Sequence, residues 1–207
     1  MKTQGSWALA LLLLLPALAP AADPVAEPAA SSRIASAREP TYRSIDISEL
    51  IEKVAKRTGK QFIVDPRVRA EVPLIGLDVD KVDYARLLAI LSVHLFATYE
   101  SNGVVRVVPD ANARQFPVPV TNQVSPKALD DELVTVILHA KNVCAAQLVP
   151  VLRPLMPQSA HLAAMAQANT LLIVDRAANA RKIIDMIDQL DKAVPADQRC
   201  TESKGSG

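Results

Sequence analysis

The sequence has 207 residues, carries 23 Lys+Arg against 22 Asp+Glu, and is half hydrophobic but only 3% aromatic. A formal net charge of +1 leaves no basic excess to draw it to nucleic acid or to an anionic membrane surface. Setting the first 21 residues aside leaves about 185, enough for one or two small domains.

The chain opens with a basic Met1-Lys2, an apolar stretch over residues 7–18 containing five consecutive leucines, and the small residues Ala19, Pro20 and Ala21. That succession predicts a secretory signal peptide over residues 1–21, cleaved after Ala21 or Ala22. The apolar run is shorter than the roughly 20 residues a membrane-spanning helix needs, and no charge cluster follows to stop transfer. Loss of Lys2 would leave equal numbers of basic and acidic side chains. The expected product is soluble and periplasmic. Residues 22–40 are rich in Ala, Pro and Ser without an apolar period, and read as a flexible leader.

Residues 41–109 read as a first α+β domain. Residues 41–45 alternate and predict a short strand. Asp46 is placed as the N-cap of a helix, with Glu49 at the capping-box position and Ile47, Leu50, Ile51, Val54 and Ala55 on one stripe. Lys56 and Arg57 fall in its last turn and Gly59 ends it. A strand over 61–64 breaks at Asp65-Pro66, and a second extended run covers 72–79. Asp83 caps a helix with the stripe Tyr84, Leu87, Leu88 and Leu91. Asn102-Gly103, between two alternating runs over 96–100 and 104–108, predicts a hairpin.

Residues 110–131, with Pro117, Pro119 and Pro126 among polar residues, predict an extended linker. A second α+β domain is expected over 132–192. It comprises a strand at 133–138 and a helix capped by Asn142 with Cys144, Leu148, Val151, Leu152 and Leu155 on one face. Pro150 should kink that helix or end it early. Strands at 161–164 and 170–175 follow, then a helix with Ala180, Ile183, Ile184, Ile187 and Leu190 in register. Residues 193–207 read as a polar tail. The expected order is β-α-β-β-α-β-β, a linker, then β-α-β-β-α.

Cys144 and Cys200 permit one intramolecular pairing in an oxidising compartment. Cys144 lies on an apolar stripe and Cys200 in a polar tail, so a buried and an exposed thiol are expected rather than a bridge. His94, His139 and His161 are far apart and read as strand-end or helix-end residues, so no metal site is expected. No nucleophile motif is present, and Asp65, Asp78, Asp80 and Asp83 sit where turns and caps need them. The second segment contains no glycine, hence no phosphate-cradling loop and no RNA-clamping Gly-x-x-Gly. Asp185, Asp188 and Asp191 read as an acidic helix end set against Arg176, Arg181 and Lys182 nearer its start, a solvated face with an Arg181–Asp185 pair one turn apart, the alternative being a charged docking face. No catalytic residue, cofactor or small-molecule substrate is expected.

The ordered series of segments resembles the N-terminal N0 and N1 domains of bacterial secretins. Tyr42-Arg43-Ser44-Ile45-Asp46-Ile47 resembles the opening of N0, and Phe62-Ile63-Val64-Asp65-Pro66-Arg67 its next strand and turn. Leu95 to Tyr99 with Gly103 to Pro109 resembles its closing hairpin. Leu138 to Val143, Leu148 to Leu155 and Asn169 to Asp175 resemble the NolW-like short domain, N1. The resemblance implies an N0 fold shared with the signalling domains of TonB-dependent receptors and an N1 fold related to KH domains. Secretins continue for several hundred residues into further domains and a β-barrel, whereas this sequence ends at Gly207. A separately encoded N-terminal arm or an accessory protein is therefore expected, docking a secretin channel to inner-membrane components, with ring-type self-association of the N1-like segment. A periplasmic sensor module of the TonB-receptor signalling type is the alternative. Thr41, Tyr42, Arg43, Ser44 and Ile45 form the expected partner-binding edge strand, where a partner adds a strand of its own.

Overall fold

The computed structural model describes residues 43–200. The expected signal peptide, leader, Thr41, Tyr42 and the end of the tail lie outside those residues. The described chain is mixed α and β throughout.

The first module starts with β1 (Arg43–Asp46), which runs directly into α1 (Ile47–Thr58). The Asp46 carboxylate accepts a hydrogen bond from the Ser48 N–H at 2.7 Å, and Gly59, at φ 69°, closes the helix by donating to the Ala55 carbonyl. Ile47, Leu50, Ile51 and Val54 are buried along one stripe. β2 (Gln61–Val64) and β3 (Glu71–Leu74) follow, then α2 (Tyr84–Val93), started by the Asp83 side chain. β4 (Phe96–Ser101) and β5 (Val104–Pro109) form the hairpin, with Asn102 and Gly103 both at positive φ as a type I′ turn requires.

These strands make two small sheets. β1 pairs antiparallel with β3; β5 lies between β2, which runs parallel to it, and β4, which runs antiparallel. Side chains from both sheets and both helices meet in one core that includes Ile45, Val72, Leu50, Leu87, Phe96 and Val107. The extended run expected over 72–79 stops at Leu74. Gly76 takes φ 70° and turns the chain, and Val79–Lys81 is a 3-10 turn. The apolar alternation continues past this break, but Ile75 and Leu77 point to solvent.

Residues 110–131 are not an extended linker. Asp110–Gln115 winds in 3-10 turns, and β6 (Val120–Thr121) pairs parallel with β7 (Leu133–His139). Phe116, Val118 and Val120 alternate with Pro117 and Pro119, and prolines are tolerated on an edge segment. Phe116 stacks on Tyr99 with ring centroids 5.0 Å apart.

In the second module, α3 (Ala145–Leu152), β8 (His161–Met165), β9 (Thr170–Arg176) and α4 (Ala177–Ala193) follow β7. The sheet order is β6-β7-β9-β8. Its core joins Val136, Leu148, Leu152, Leu171, Ile173, Ile183 and Ile187. The N-cap position of α3 is Cys144 rather than Asn142. The cap comes from elsewhere: the Asn169 side chain accepts from the Ala145 N–H at 2.7 Å and donates to the Ala140 and Val143 carbonyls. α3 passes into a 3-10 turn at Arg153, three residues after Pro150, and Val151 and Leu155 leave the expected stripe for solvent. Arg181 reaches Asp130 at 2.9 Å and not Asp185, because the returning segment before β7 lies beside the start of α4.

The two cysteines are joined: Cys144 and Cys200 form a disulfide with Cα atoms 4.9 Å apart across 56 residues. The turn at Ala196–Gln198 brings the chain back beside the β7–α3 loop, where the Cys200 N–H donates to the Asn142 carbonyl. Sequence spacing carries no record of this approach, so two free thiols were the wrong expectation. Closing a loop of this length stabilises the fold by about 4 kcal/mol in the chain-entropy treatment.

Asp191, only 8% exposed, ties the end of α4 to the same loop. Its carboxylate accepts from the N–H groups of Asn142 at 2.7 Å, Val143 at 2.8 Å and Lys141 at 3.1 Å. Burial pushes this carboxyl up, but the three backbone donors together outweigh it and hold the group below its ordinary value. The ionised form is thus favoured by folding. Its contribution is complete above the unfolded-state value and is lost as pH falls through the depressed folded value. Thermal unfolding followed by circular dichroism should show the midpoint falling below about pH 4. Asp191→Ala should lower stability at neutral pH by about 1–3 kcal/mol and make that acid fall shallower.

Candidate docking edge of the first module

The expected edge residues divide once folded. Ile45 is buried and belongs to the core, whereas Arg43 and Ser44 are exposed on β1. Register shows which backbone groups are free. Just beyond the ribbon the Ile47 N–H donates to the Ala70 carbonyl at 2.9 Å, and Ser44 stands opposite Pro73. Antiparallel pairs alternate between bonded and non-bonded, so with 47 and 70 bonded, Ser44 and Pro73 form a non-bonded pair. Pro73 therefore interrupts no ladder bond, and the Ser44 N–H and carbonyl point away from β3. Among the described residues no strand pairs with that side of β1.

A shallow cleft of about 150 Å³ runs beside this edge, between Arg43, Ser44, Glu49, Lys53, Leu74 and Leu77. Small-molecule sites usually enclose about 300–1,000 Å³, so this one suits an extended peptide or a protein edge better. Its far wall is the Val79–Lys81 turn. The Asp78 carboxylate accepts from the Asp80 N–H at 3.1 Å, and this bond, followed by the Lys81 ammonium, holds it below its ordinary value. α1 fastens the wall: Lys53 pairs with Asp80 at 3.1 Å and the Arg57 guanidinium donates to the Asp80 carbonyl. Ile75, 76% exposed, and Leu77, 45% exposed, add apolar surface at the rim. The sequence pattern hid this rim, because 72–79 read as one strand. Gly76 was the available clue to a turn.

The other titratable residues singled out from sequence have local structural roles. Asp65 accepts from the Arg67 backbone and guanidinium, which brings its carboxyl to about 2. Asp83 caps α2, accepting from the Arg86 N–H at 2.8 Å. His94 ends α2, His139 ends β7 and His161 begins β8. Among the described residues, no group of three or more His, Cys, Asp and Glu is placed to hold a metal ion.

A two-stranded ribbon with one strand edge unpaired among the described residues, a cleft beside it, and a second sheet module joined through a short structured segment make up the described chain. Residues 41–107 match the family described as GspD-like, N0 domain, and residues 135–196 match the bacterial type II/III secretion system short domain. The chain belongs to the secretin family through these N-terminal domains. It is 35% identical over 153 residues to secretin XcpQ of Pseudomonas aeruginosa, covering 72% of this chain and 22% of that one. It is 32% identical over 168 residues to secretin PulD of Klebsiella pneumoniae, covering 78% and 25%. The chain thus spans a quarter or less of the length of these relatives. In the solved type II secretion system outer membrane complex of Klebsiella pneumoniae, containing PulD, PulS and the PulC HR domain, one chain matches with 30% identity and a TM-score of 0.63. That match covers 74% of this chain and 27% of the other.

The cleft wall is held by exposed pairs, which contribute little to global stability. Asp80→Ala should change the unfolding free energy by less than about 1 kcal/mol. Amide hydrogen exchange read by mass spectrometry should nevertheless quicken over residues 77–81 and stay unchanged in α1.

Proposed function

We propose that this chain is a non-enzymatic, periplasmic arm of a type II protein-secretion apparatus, docking a secretin channel to an inner-membrane component of the same system. The observation that carries this reading is the free edge of β1 at Ser44, beside a cleft with charges of both signs and an apolar rim. Such an edge recruits a partner strand through main-chain hydrogen bonds, with side-chain pockets supplying selectivity. The GspD-like character of residues 41–107 favours the secretin arm over a TonB-type signalling module. The arm role does not depend on whether a barrel follows in the same chain, because the docking edge lies wholly within the first module.

Ser44→Pro tests the edge cleanly. Proline removes the donor that faces outward and leaves the β1–β3 ladder intact, since the Ser44 N–H takes no part in it. Mature protein should be cross-linked in the envelope, recovered, and its partners identified by mass spectrometry. Wild type should bring down a β-barrel secretin or an inner-membrane secretion component. Ser44→Pro should lose at least about tenfold of that recovery with an unchanged melting temperature, the loss expected when about 1.4 kcal/mol or more of partner binding is removed. Equal recovery by the two proteins would refute docking through this edge.

The second module offers a different surface. Val151, Leu155 and Met165 are 58%, 46% and 61% exposed, on or next to α3 and the edge strand β8, which pack together. Side-by-side packing of these modules would cover that apolar surface and build a ring. Native mass spectrometry should find oligomers when the protein is mixed with its partner secretin, and Val151→Asp should abolish them. Strictly monomeric behaviour, alone and in the mixture, would overturn the ring.

A further inference from the structure

The two modules meet at a junction whose polar centre is a single side chain. Arg176 is the last residue of β9 and stands at the N-cap position of α4. It belongs to the second module, yet its guanidinium is used on the first module and on the segment that connects the two. Nη2 donates to the Phe96 carbonyl at 3.1 Å, across 80 residues of sequence, and lies 3.6 Å from the Asp110 carboxylate. Nη1 donates to the Asp131 carbonyl at 3.2 Å. The Arg176 and Asp110 side chains are only 18% and 14% exposed. Asp110 is itself fixed, its N–H donating to the Leu95 carbonyl at 2.9 Å.

Apolar packing surrounds this polar centre. Ala97 of β4, Ala113 of the connecting turn and Leu133 of β7 are buried against one another, with Phe116 and Val118 packed on them. The void left between Asp110, Leu133, Ser159 and Arg176 is about 10 Å³, at the lower limit for one water molecule. A fork of fixed planar donors can satisfy two carbonyls and a carboxylate at once, which an ammonium on a flexible stem cannot do in the same geometry. Breaking the contact would strand acceptors and a charge in a partly buried place, so intermediate orientations are disfavoured.

We infer that Arg176 is a latch that locks the two modules into one preset body, so that the β1 docking edge and the apolar side of the second module turn together. One chain of the solved Klebsiella complex matches 74% of this chain with a TM-score of 0.63, a longer stretch than either module alone. The latch is complete in a single chain and needs neither partner nor ring. A pull on the docking edge is then transmitted to the second module instead of being absorbed by a hinge at residues 110–131.

The test uses backbone residual dipolar couplings on the intact, disulfide-bonded mature protein. In the wild type, couplings from residues 43–109 and 133–193 should fit one alignment tensor. Arg176→Ala should lose that single fit and require two tensors, while amide shifts inside each core stay in place. Arg176→Lys should behave like alanine, because the charge is retained but the fork is gone. Should Arg176→Ala fail to fold, Asp110→Ala opens the latch from the other side, on a turn outside both large cores. Two tensors in the wild type would overturn the latch, and so would a single tensor in a folded Arg176→Ala or Asp110→Ala protein.

Discussion

The loop that leads into α3 presents backbone N–H groups from Lys141 to Ala145, and the second module is organised around satisfying them with distant side chains. A helix leaves its first donors without internal partners, and a buried unpaired donor costs about 1–3 kcal/mol. Here two distant residues supply the acceptors. Asn169, in the left-handed conformation at the end of the β8–β9 turn, stands beside the end of β7 and caps Ala145 from there. Asp191, on the last turn of α4, binds the three N–H groups before it. The Cys144–Cys200 bridge then closes over the same loop. Strand turn, final helix and tail all converge on one six-residue stretch, so the module's ends hold its middle.

This arrangement also explains what could be read from the sequence and what could not. α1 was legible because everything that starts and stops it is local: Asp46, the apolar stripe and Gly59 lie within one segment. The Asn102-Gly103 hairpin and the Asp83 cap were legible for the same reason. Asn142 was a reasonable local cap for α3, but its side chain donates to Asp191 instead. Asn169 carries no mark of its role in its own surroundings. Leu95, at φ 60° and exposed, takes a conformation for which glycine would have been the natural choice, and nothing around it in the sequence asks for that. Of the docking edge, the strand itself was legible, while the cleft beside it depended on Gly76 breaking a pattern that looked continuous.

The junction shows the same dependence on distant groups, with charge added. Asp175, 3% exposed, sits next to Arg176, and burial pushes its carboxyl up despite the Asn179 side chain and the Arg176 N–H that bind it. Folding therefore opposes the ionised form of Asp175, the reverse of Asp191. The neighbouring Arg176 charge offsets this only in part, and its guanidinium donates no hydrogen bond to the Asp175 carboxylate. Instead it reaches over to Asp110 and the Phe96 carbonyl. The guanidinium's hydrogen bonds thus go to carbonyls outside its own strand, that of Phe96 on β4 and that of Asp131.

An open strand edge is a hazard unless it is selective, because any extended chain can add to it. β1 limits the hazard by being short, with only four residues, and by carrying Arg43 and Asp46 at its two ends. Pro73 on the facing strand removes one donor from the other edge of the ribbon, so the two edges are not equivalent. A partner approaching β1 meets the outward Ser44 groups first, then the Lys53–Asp80 wall and the apolar rim at Ile75 and Leu77. Main-chain pairing alone would accept almost any strand. Mixed charge and exposed apolar side chains beside it would restrict which strand fits, and a junction latched by Arg176 would set the direction from which it arrives.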